Sequence, residues 1–175
     1  MIMSKFKKTI INKIKLRKLK KSGLTFGKNL DICGHVNFGS EPFLIFLGDD
    51  VRITEGVSFI THDGGVAVVR RLYNENSSDD VFGKIVVGNN VHIGTNSIIM
   101  PNVTIGNNVV IGCGSIVTHD VPNNCVVAGS PAKIIESLEE YKTKIDKKAV
   151  KTKHLSYKEK RLFLEKYFDN KNGTK

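Results

Sequence analysis

The chain has 175 residues, of which 40% are apolar and 7% aromatic, a size that supports one hydrophobic core. The formal net charge of +10 is concentrated at the ends, with nine Lys and Arg in residues 5–21, which argues against a nucleic-acid-binding domain. Cys33, Cys113 and Cys125 are odd in number and form no CxxC pair, which argues against a disulfide framework or zinc knuckle. The sequence shows neither a signal peptide nor a long apolar run, and we predict a cytoplasmic protein.

The two ends of the chain are predicted to be helical. Residues 1–23 form a basic amphipathic helical segment in this interpretation, because Phe6, Ile10 and Ile14 recur at helical intervals. Residues 136–175 are predicted as a C-terminal helical tail. Both segments are expected to cap the repeat that lies between them, since the ends of a repeat protein need covering.

The middle of the chain carries an internal repeat with a period of six residues. Two columns of mostly aliphatic residues recur without a phase error: Ile85, Val91, Ser97, Val103, Val109, Ser115 and Val121 in one, and Val87, Ile93, Ile99, Ile105, Ile111 and Val117 in the other. A period of six matches neither the strand period of two nor the helix period of 3.6. It is typical of a solenoid in which three hexapeptides form one triangular coil and the columns stack inward. Asn89-Asn90 and Asn107-Asn108 suit the turns between strands.

The repeat is divided into two blocks. Residues 24–60 and 85–127 follow the pattern, with a slip of three residues near Ser40–Pro42. We predict an all-β solenoid of parallel strands over residues 24–135, with an inserted loop at 61–84.

The sequence resembles the hexapeptide-repeat acyltransferases, in particular the maltose/galactoside and capsular-polysaccharide O-acetyltransferases. The shared runs are GNNVxIG, PxVTIG, GxGS, VTxDVP and AGxPAK, where x marks an unmatched position, and the resemblance covers residues 24–135. It implies a left-handed parallel β-helix, a homotrimer with active sites between subunits, acetyl-CoA as the acyl donor and a sugar or glycan as the acceptor. We expect no metal requirement and no nucleic-acid partner. The basic ends are compatible with peripheral association with a membrane-bound glycan synthesis complex.

His62 is the predicted general base. A hydroxyl is a weak nucleophile at neutral pH, so its acylation needs a base within hydrogen-bond reach, and histidine suits that task. His62 stands in the sequence FITHDGG, where the first block gives way to the loop. The catalytic histidine of the resembling enzymes occupies the same place, which implies direct transfer without an acyl-enzyme.

The residue that orients His62 is left open between its neighbour Asp63 and Glu41, which lies in the GSEP slip about one coil earlier. The resembling galactoside acetyltransferases carry an Asp and an Asn in this region, which Glu41 and Asn37 replace in a loose match. We predict that Glu41 is the catalytic partner and that Asn37 and Asp63 bind the acceptor. The alternative is that they are ordinary surface polar residues.

The resemblance implies a coenzyme A site on the coils after the loop. Its predicted residues are Thr95, Cys113, Thr118, His119 and Lys133. Cys113 lies between two glycines, where an extended pantetheine arm can approach the backbone, and Lys133 offers a charge to the 3′-phosphate. The alternative for the glycine-flanked Cys113 is a tight corner of the solenoid and nothing more.

The loop at 61–84 is predicted to shape the acceptor pocket, because in the resembling enzymes it reaches towards the neighbouring subunit. Arg70 and Tyr73 are predicted to contact a sugar or its carboxylate, and anchoring of the loop is the alternative. The sequence does not identify the acceptor.

Three alternative functions remain. The first is an N-acetyltransferase that acts on an amino sugar. The second is a zinc enzyme on the same solenoid, like the γ-class carbonic anhydrases, but successive histidines are 27, 30, 27 and 35 residues apart and form no close metal-binding pair. The third is a non-catalytic scaffold, which would not require His62 at the break in the repeat.

Overall fold

A computed structural model describes residues 16–172 of the chain. The chain folds into two compact units, of which the first ends at Tyr141 and the second begins at Lys142. Within the predicted N-terminal segment 1–23, residues 16–21 are helical (α1). Residues 1–15, and with them the apolar positions on which that helix prediction rests, lie outside the described residues.

The first unit is a parallel β-solenoid whose short strands form three sheets. Sheet A contains β1 (Thr25–Phe26), β3 (Ile45–Leu47), β6 (Ile85–Val87) and β9 (Thr104–Ile105). Sheet B contains β2 (Asp31–Ile32), β4 (Arg52–Ile53), β7 (Val91–Ile93), β10 (Val109–Ile111), β12 (Cys125–Gly129) and β13 (Ala132–Ser137). Sheet C contains β5 (Ser58–Phe59), β8 (Ile98–Ile99) and β11 (Ile116–Val117). The chain visits sheets A, B and C in turn, so strands of one sheet come from successive coils.

The core of the solenoid is formed by the two columns of residues that recur every six positions. Every member of both columns faces inward, and none is more than 7% exposed. Removal of this aliphatic surface from water supplies most of the stabilisation of such a fold. Phe38 and Phe59 extend the core towards the N-terminal coils, where their rings stack with centroids 5.4 Å apart.

Three corners connect the sheets, and we name them by content. The ladder corner joins sheet A to sheet B (residues 27–30, 48–51, 88–90, 106–108 and 122–124), and the glycine corner joins B to C (33–36, 54–57, 94–97 and 112–115). The insert corner joins C to A of the next coil (39–44, 60–84, 100–103 and 118–120).

The ladder corner repeats one conformation from coil to coil. Asn90, Asn108 and Asn124 all have φ between 54° and 59°, a left-handed conformation that Asn tolerates better than most residues. The side-chain Nδ2 of Asn90 donates to Oδ1 of Asn108 at 2.9 Å, and Nδ2 of Asn108 donates to Oδ1 of Asn124 at 2.8 Å. Each turn therefore holds the next one along the solenoid axis.

The solenoid ends with a reversal of direction. Strand β12 pairs antiparallel with β13, and the Ser130–Pro131 peptide bond between them is cis. Because β13 continues to Ser137, the strand extends slightly beyond the predicted solenoid boundary at residue 135. Helix α3 (Leu138–Lys148) starts there with a capping box, in which the amide of Glu140 donates to Oγ of Ser137 and the amide of Ser137 donates to the Glu140 carboxylate.

The second unit is helical. After the end of α3 it contains α4 (Tyr157–Asn172), which starts with a second capping box between Ser156 and Glu159. Among the described residues, no helix combines the length and the apolar character needed to cross a bilayer.

Candidate active site

The candidate site lies on the insert corner, where two irregular segments interrupt consecutive coils. The first, residues 39–44, contains a short 3-10 helix over Pro42–Leu44, and Glu41 immediately precedes it. The second is the predicted loop at 61–84, which is not wholly irregular because it contains helix α2 (Val66–Leu72). Both segments leave sheet C at the same corner, so their first residues are neighbours.

The long insertion is closed at its base by backbone pairing. His62 forms an antiparallel bridge with Phe82. The amide of Gly83 donates to the carbonyl of Thr61 at 2.8 Å, and the amide of Asp63 donates to the carbonyl of Val81 at 2.9 Å. His62 is therefore held on a clamped backbone rather than on a free loop.

Three side chains converge at this corner. Nδ1 of His62 lies 3.0 Å from Oε2 of Glu41, and the hydroxyl of Thr61 donates to the same carboxylate oxygen at 2.6 Å. The Thr61 residue is fully buried, while the side chains of Glu41 and His62 are 17% and 46% exposed. A buried hydroxyl, a mostly buried carboxylate and a half-exposed imidazole thus form a chain from the core to the surface.

The carboxylate of Glu41 is held in its ionised form. The hydrogen bond from Thr61, followed by those from Ser40 and His62, lowers the pKa of Glu41 from 4.5 to about 2. An ionised carboxylate only accepts hydrogen bonds, so the Nδ1 atom of His62 must carry the proton in this contact. In the neutral imidazole the lone pair is then on Nε2, the arrangement a general base needs.

The structure shows side chains at this site that the sequence analysis did not single out. Thr61 and Ser40 hydrogen-bond to Glu41, and the ring of Phe82, itself half exposed, lies edge-on to His62 with centroids 6.4 Å apart. Thr61 continues the inward alternation of Val57 and Phe59, so an inward hydroxyl at the exit of the repeat was a signal available in the sequence.

The other predicted acceptor residues lie around the same corner but bond elsewhere. Oδ1 of Asn37 accepts from the amide of Gly39 at 3.0 Å, and Oδ1 of Asp63 accepts from the amide of Gly65 at 2.8 Å. The side chains of Asn37 and Asp63 therefore stabilise local turns of the backbone. Of the two candidate partners of His62, Glu41 is the one that contacts its ring.

Arg70 and Tyr73 lie at the C-terminal end of α2. The guanidinium of Arg70 donates to the carbonyl of Asp79 at 2.8 Å and pairs with the carboxylate of Asp80, which ties the helix to the rest of the insertion. Tyr73 is 52% exposed and follows the helix directly.

The predicted coenzyme A residues are distributed over two corners and one strand. Thr95 and Cys113 are adjacent on the glycine corner, where the amide of Gly114 donates to the carbonyl of Thr95 at 2.8 Å. Thr118 and His119 lie on the insert corner two coils after His62, with Oγ1 and Nδ1 2.8 Å apart. These two corners flank the outer face of sheet C, whereas Lys133 is exposed on β13 of sheet B.

No metal-binding group is found among the described residues. Residues 16–172 contain no group of three or more His, Cys, Asp or Glu side chains that could hold a metal ion.

Comparison with known proteins adds the following. Residues 84–119 match the family model described as bacterial transferase hexapeptide (six repeats). Protein CapG from Staphylococcus aureus is 50% identical over 157 residues, which cover 88% of this chain and 90% of CapG.

Solved structures of acetyltransferases are also similar. A maltose O-acetyltransferase from Clostridium difficile 630 is 28% identical with a TM-score of 0.54, over 68% of this chain and 72% of that one. The hexapeptide-repeat acetyltransferase VCA0836 from Vibrio cholerae O1 biovar eltor, in complex with acetyl-CoA, is 30% identical with a TM-score of 0.57, over 66% and 61%. A galactoside acetyltransferase in complex with coenzyme A is 30% identical with a TM-score of 0.53, over 70% and 58%.

Proposed function

Because the chain belongs to the hexapeptide-repeat acyltransferase family, in the branch of the maltose/galactoside and capsular-polysaccharide O-acetyltransferases, we propose that it transfers an acetyl group from acetyl-CoA to a hydroxyl of a sugar or glycan. The single observation that carries the mechanism is the contact between Nδ1 of His62 and the carboxylate of Glu41. We infer left-handed coils and a homotrimer from the same family membership.

His62 is the general base of the proposed reaction. Its Nε2 atom takes the proton of the acceptor hydroxyl as the oxygen forms a bond to the acetyl carbonyl carbon. The Glu41 carboxylate keeps the imidazole in the required tautomer and stabilises the positive charge that the ring gains. His62 then returns the proton to the departing sulfur as the carbon–sulfur bond breaks, so the step balances and leaves the enzyme unchanged.

Acetyl-CoA supplies the activated thioester when it is bound, and the residues of the glycine corner fit its extended pantetheine arm. Apart from Gly114 and its two chain neighbours, no atom of the described residues lies within 4 Å of the position that a Cβ on Gly114 would occupy, and the neighbouring Cys113 is exposed. The backbone at Gly114 is therefore open to a ligand. We assign Thr95, Cys113, Thr118 and His119 to this side of the site, with Lys133 as a point charge for the 3′-phosphate.

The acceptor pocket is proposed to lie between the two insertions. Phe82, whose ring lies edge-on to His62, is 50% exposed. Leu72 and Tyr73, on the same insertion, are 70% and 52% exposed. An exposed aromatic surface beside a base suits the flat apolar face of a sugar ring. Arg70 contributes through the position of α2, and Asn37 and Asp63 through the turns that they hold.

The proposal is tested by acetyl-CoA turnover, read as free thiol release, with a panel of sugars, amino sugars, sugar nucleotides and capsular oligosaccharides. We expect one acceptor class to stimulate thiol release and His62→Ala to reduce kcat by at least about 100-fold while coenzyme A binding persists. His154→Ala is the matched control, since that histidine is exposed in the second unit. Stimulation by amino sugars alone, with the acetyl group on the amine of the product, would identify an N-acetyltransferase, and unchanged turnover in His62→Ala would exclude His62 as the base.

A further inference from the structure

We propose that Thr61 is a positioning residue that aims the carboxylate of Glu41 at His62 and thereby selects the tautomer of the base. The inference rests on the proposed function of His62, since it concerns how that base is prepared. It is carried by the burial of Thr61 and by the geometry of its hydroxyl.

The Thr61 hydroxyl and the His62 ring bond to the same oxygen of Glu41. Oε2 lies 2.6 Å from Oγ1 of Thr61 and 3.0 Å from Nδ1 of His62. The carboxylate is acceptor-only, so both partners donate to it. Thr61 and His62 meet at one oxygen, so together they hold the rotation of the carboxylate about its last bond more firmly than His62 and Ser40 would without Thr61.

Thr61 is a rigid anchor, whereas Glu41 has a flexible side chain. Thr61 is fully buried, its carbonyl accepts from the amide of Gly83 at 2.8 Å, and a β-branched side chain has few rotamers. Glu41 reaches the same point from the other insertion across three rotatable bonds. The hydroxyl therefore ties the flexible partner to the core of the solenoid.

Loss of this hydroxyl has a defined chemical consequence. A carboxylate that turns away from Nδ1 no longer favours the Nδ1–H form of His62, and the Nε2–H form cannot accept a proton from the acceptor at Nε2. Thr61→Val keeps the shape of the side chain and removes only the donor. We expect about a 10-fold lower kcat, with a KM for acetyl-CoA within about twofold of the wild-type value, because the bond to the carboxylate is charge-assisted.

The decisive measurement is the tautomer of His62, read from the imidazole nitrogen-15 chemical shifts of the full-length protein in its neutral-histidine range. We expect the Nδ1–H form to dominate in the wild type and in Thr61→Ser, and a mixture in Thr61→Val. Thr61→Ser restores the hydroxyl, so rescue of both the tautomer and kcat distinguishes positioning from packing. Thr61→Ala is a second hydroxyl-free variant in case the valine does not fold.

Two outcomes would overturn the proposal. One is a wild-type tautomer and kcat in a folded hydroxyl-free variant. The other is an equal loss in Thr61→Ser and Thr61→Val, which would make the effect one of packing. The spectrum needs no acceptor and no turnover, so it decides the role of Thr61 even if the thiol-release assay rejects His62 as the base.

Discussion

The ladder corner and the insert corner are built by the same coils but use their side chains in different ways. At the ladder corner Asn and Asp side chains bond to their equivalents one coil away, as in the 2.9 Å contact between Asn29 and Asp50. At the insert corner two segments of unequal length leave the repeat, and the side chains that meet are unlike: Thr61, Glu41 and His62. One corner is repetitive, and the other is irregular.

This difference separates stability from chemistry within one coil. A repeated turn uses its Asn side chains in hydrogen bonds from one coil to the next. An interrupted turn places a hydroxyl, a carboxylate and an imidazole in one chain because Thr61 and His62 begin one insertion and Glu41 lies in the insertion one coil earlier. Substitutions at the ladder corner should therefore alter the free energy of unfolding, and those at the insert corner should alter turnover.

The largest expected effect is the loss of turnover in Glu41→Gln, at the insert corner. The neutral amide neither stabilises a charged imidazole nor enforces the Nδ1–H tautomer, so we expect kcat to fall about 100-fold, equivalent to about 2.7 kcal/mol of barrier. Asp50→Asn is the matched control, since it makes the same chemical change at the ladder corner of the same coil, and its kcat should stay within about twofold. Equal losses in the two variants would show that the corners do not differ in function.

The next effect is on stability, at Asn108. Asn108→Ala removes two side-chain hydrogen bonds and places Ala at a φ of 55°, so we expect the free energy of unfolding to fall by about 2 kcal/mol. Urea denaturation measures the loss, and kcat per folded molecule should not change. Asn108→Gly loses the same bonds without the strain, so it should be the more stable of the two; equal stabilities would assign the whole effect to the bonds.

The smallest effect is the pH dependence that Glu41 contributes to stability. Its pKa falls from 4.5 to about 2 on folding, so the unfolded chain binds this proton at a higher pH than the folded chain. The contribution is complete above pH 4.5 and is lost as the pH falls towards 2. We expect acid titration of unfolding to be steeper for the wild type than for Glu41→Gln in that window, and parallel curves would contradict the lowered pKa.

The sequence predicts the solenoid well because the six-residue period constrains every inward position. Each column member has one allowed orientation, and the structure buries all of them. The same arithmetic led us to expect Glu41 near His62, since one coil of three hexapeptides plus a slip of three residues separates them. Their roles in catalysis stay predictions until turnover is measured.

Other features of the site depend on contacts that periodicity does not encode. Helix α2 and the pairing of His62 with Phe82 join residues within an insertion that has no repeat. The bond from Thr61 to Glu41 depends on the orientation of a hydroxyl that the sequence gives only as an inward position. Arg70, predicted to contact the acceptor, donates to the backbone carbonyl of Asp79 and pairs with the carboxylate of Asp80, both near the end of the loop.

Because the coils stack at a fixed spacing, positions along the solenoid axis are separated by whole numbers of strand spacings. His62 follows β5 and Thr118 follows β11, with β8 between these strands in sheet C. Adjacent strands are about 4.8 Å apart, so about 10 Å separates the proposed base from this part of the proposed donor site along the axis. Insertion or removal of one complete coil between them would change that distance by a fixed increment and keep every inward column in register. The reach of the enzyme is thus counted in whole coils and cannot be adjusted continuously.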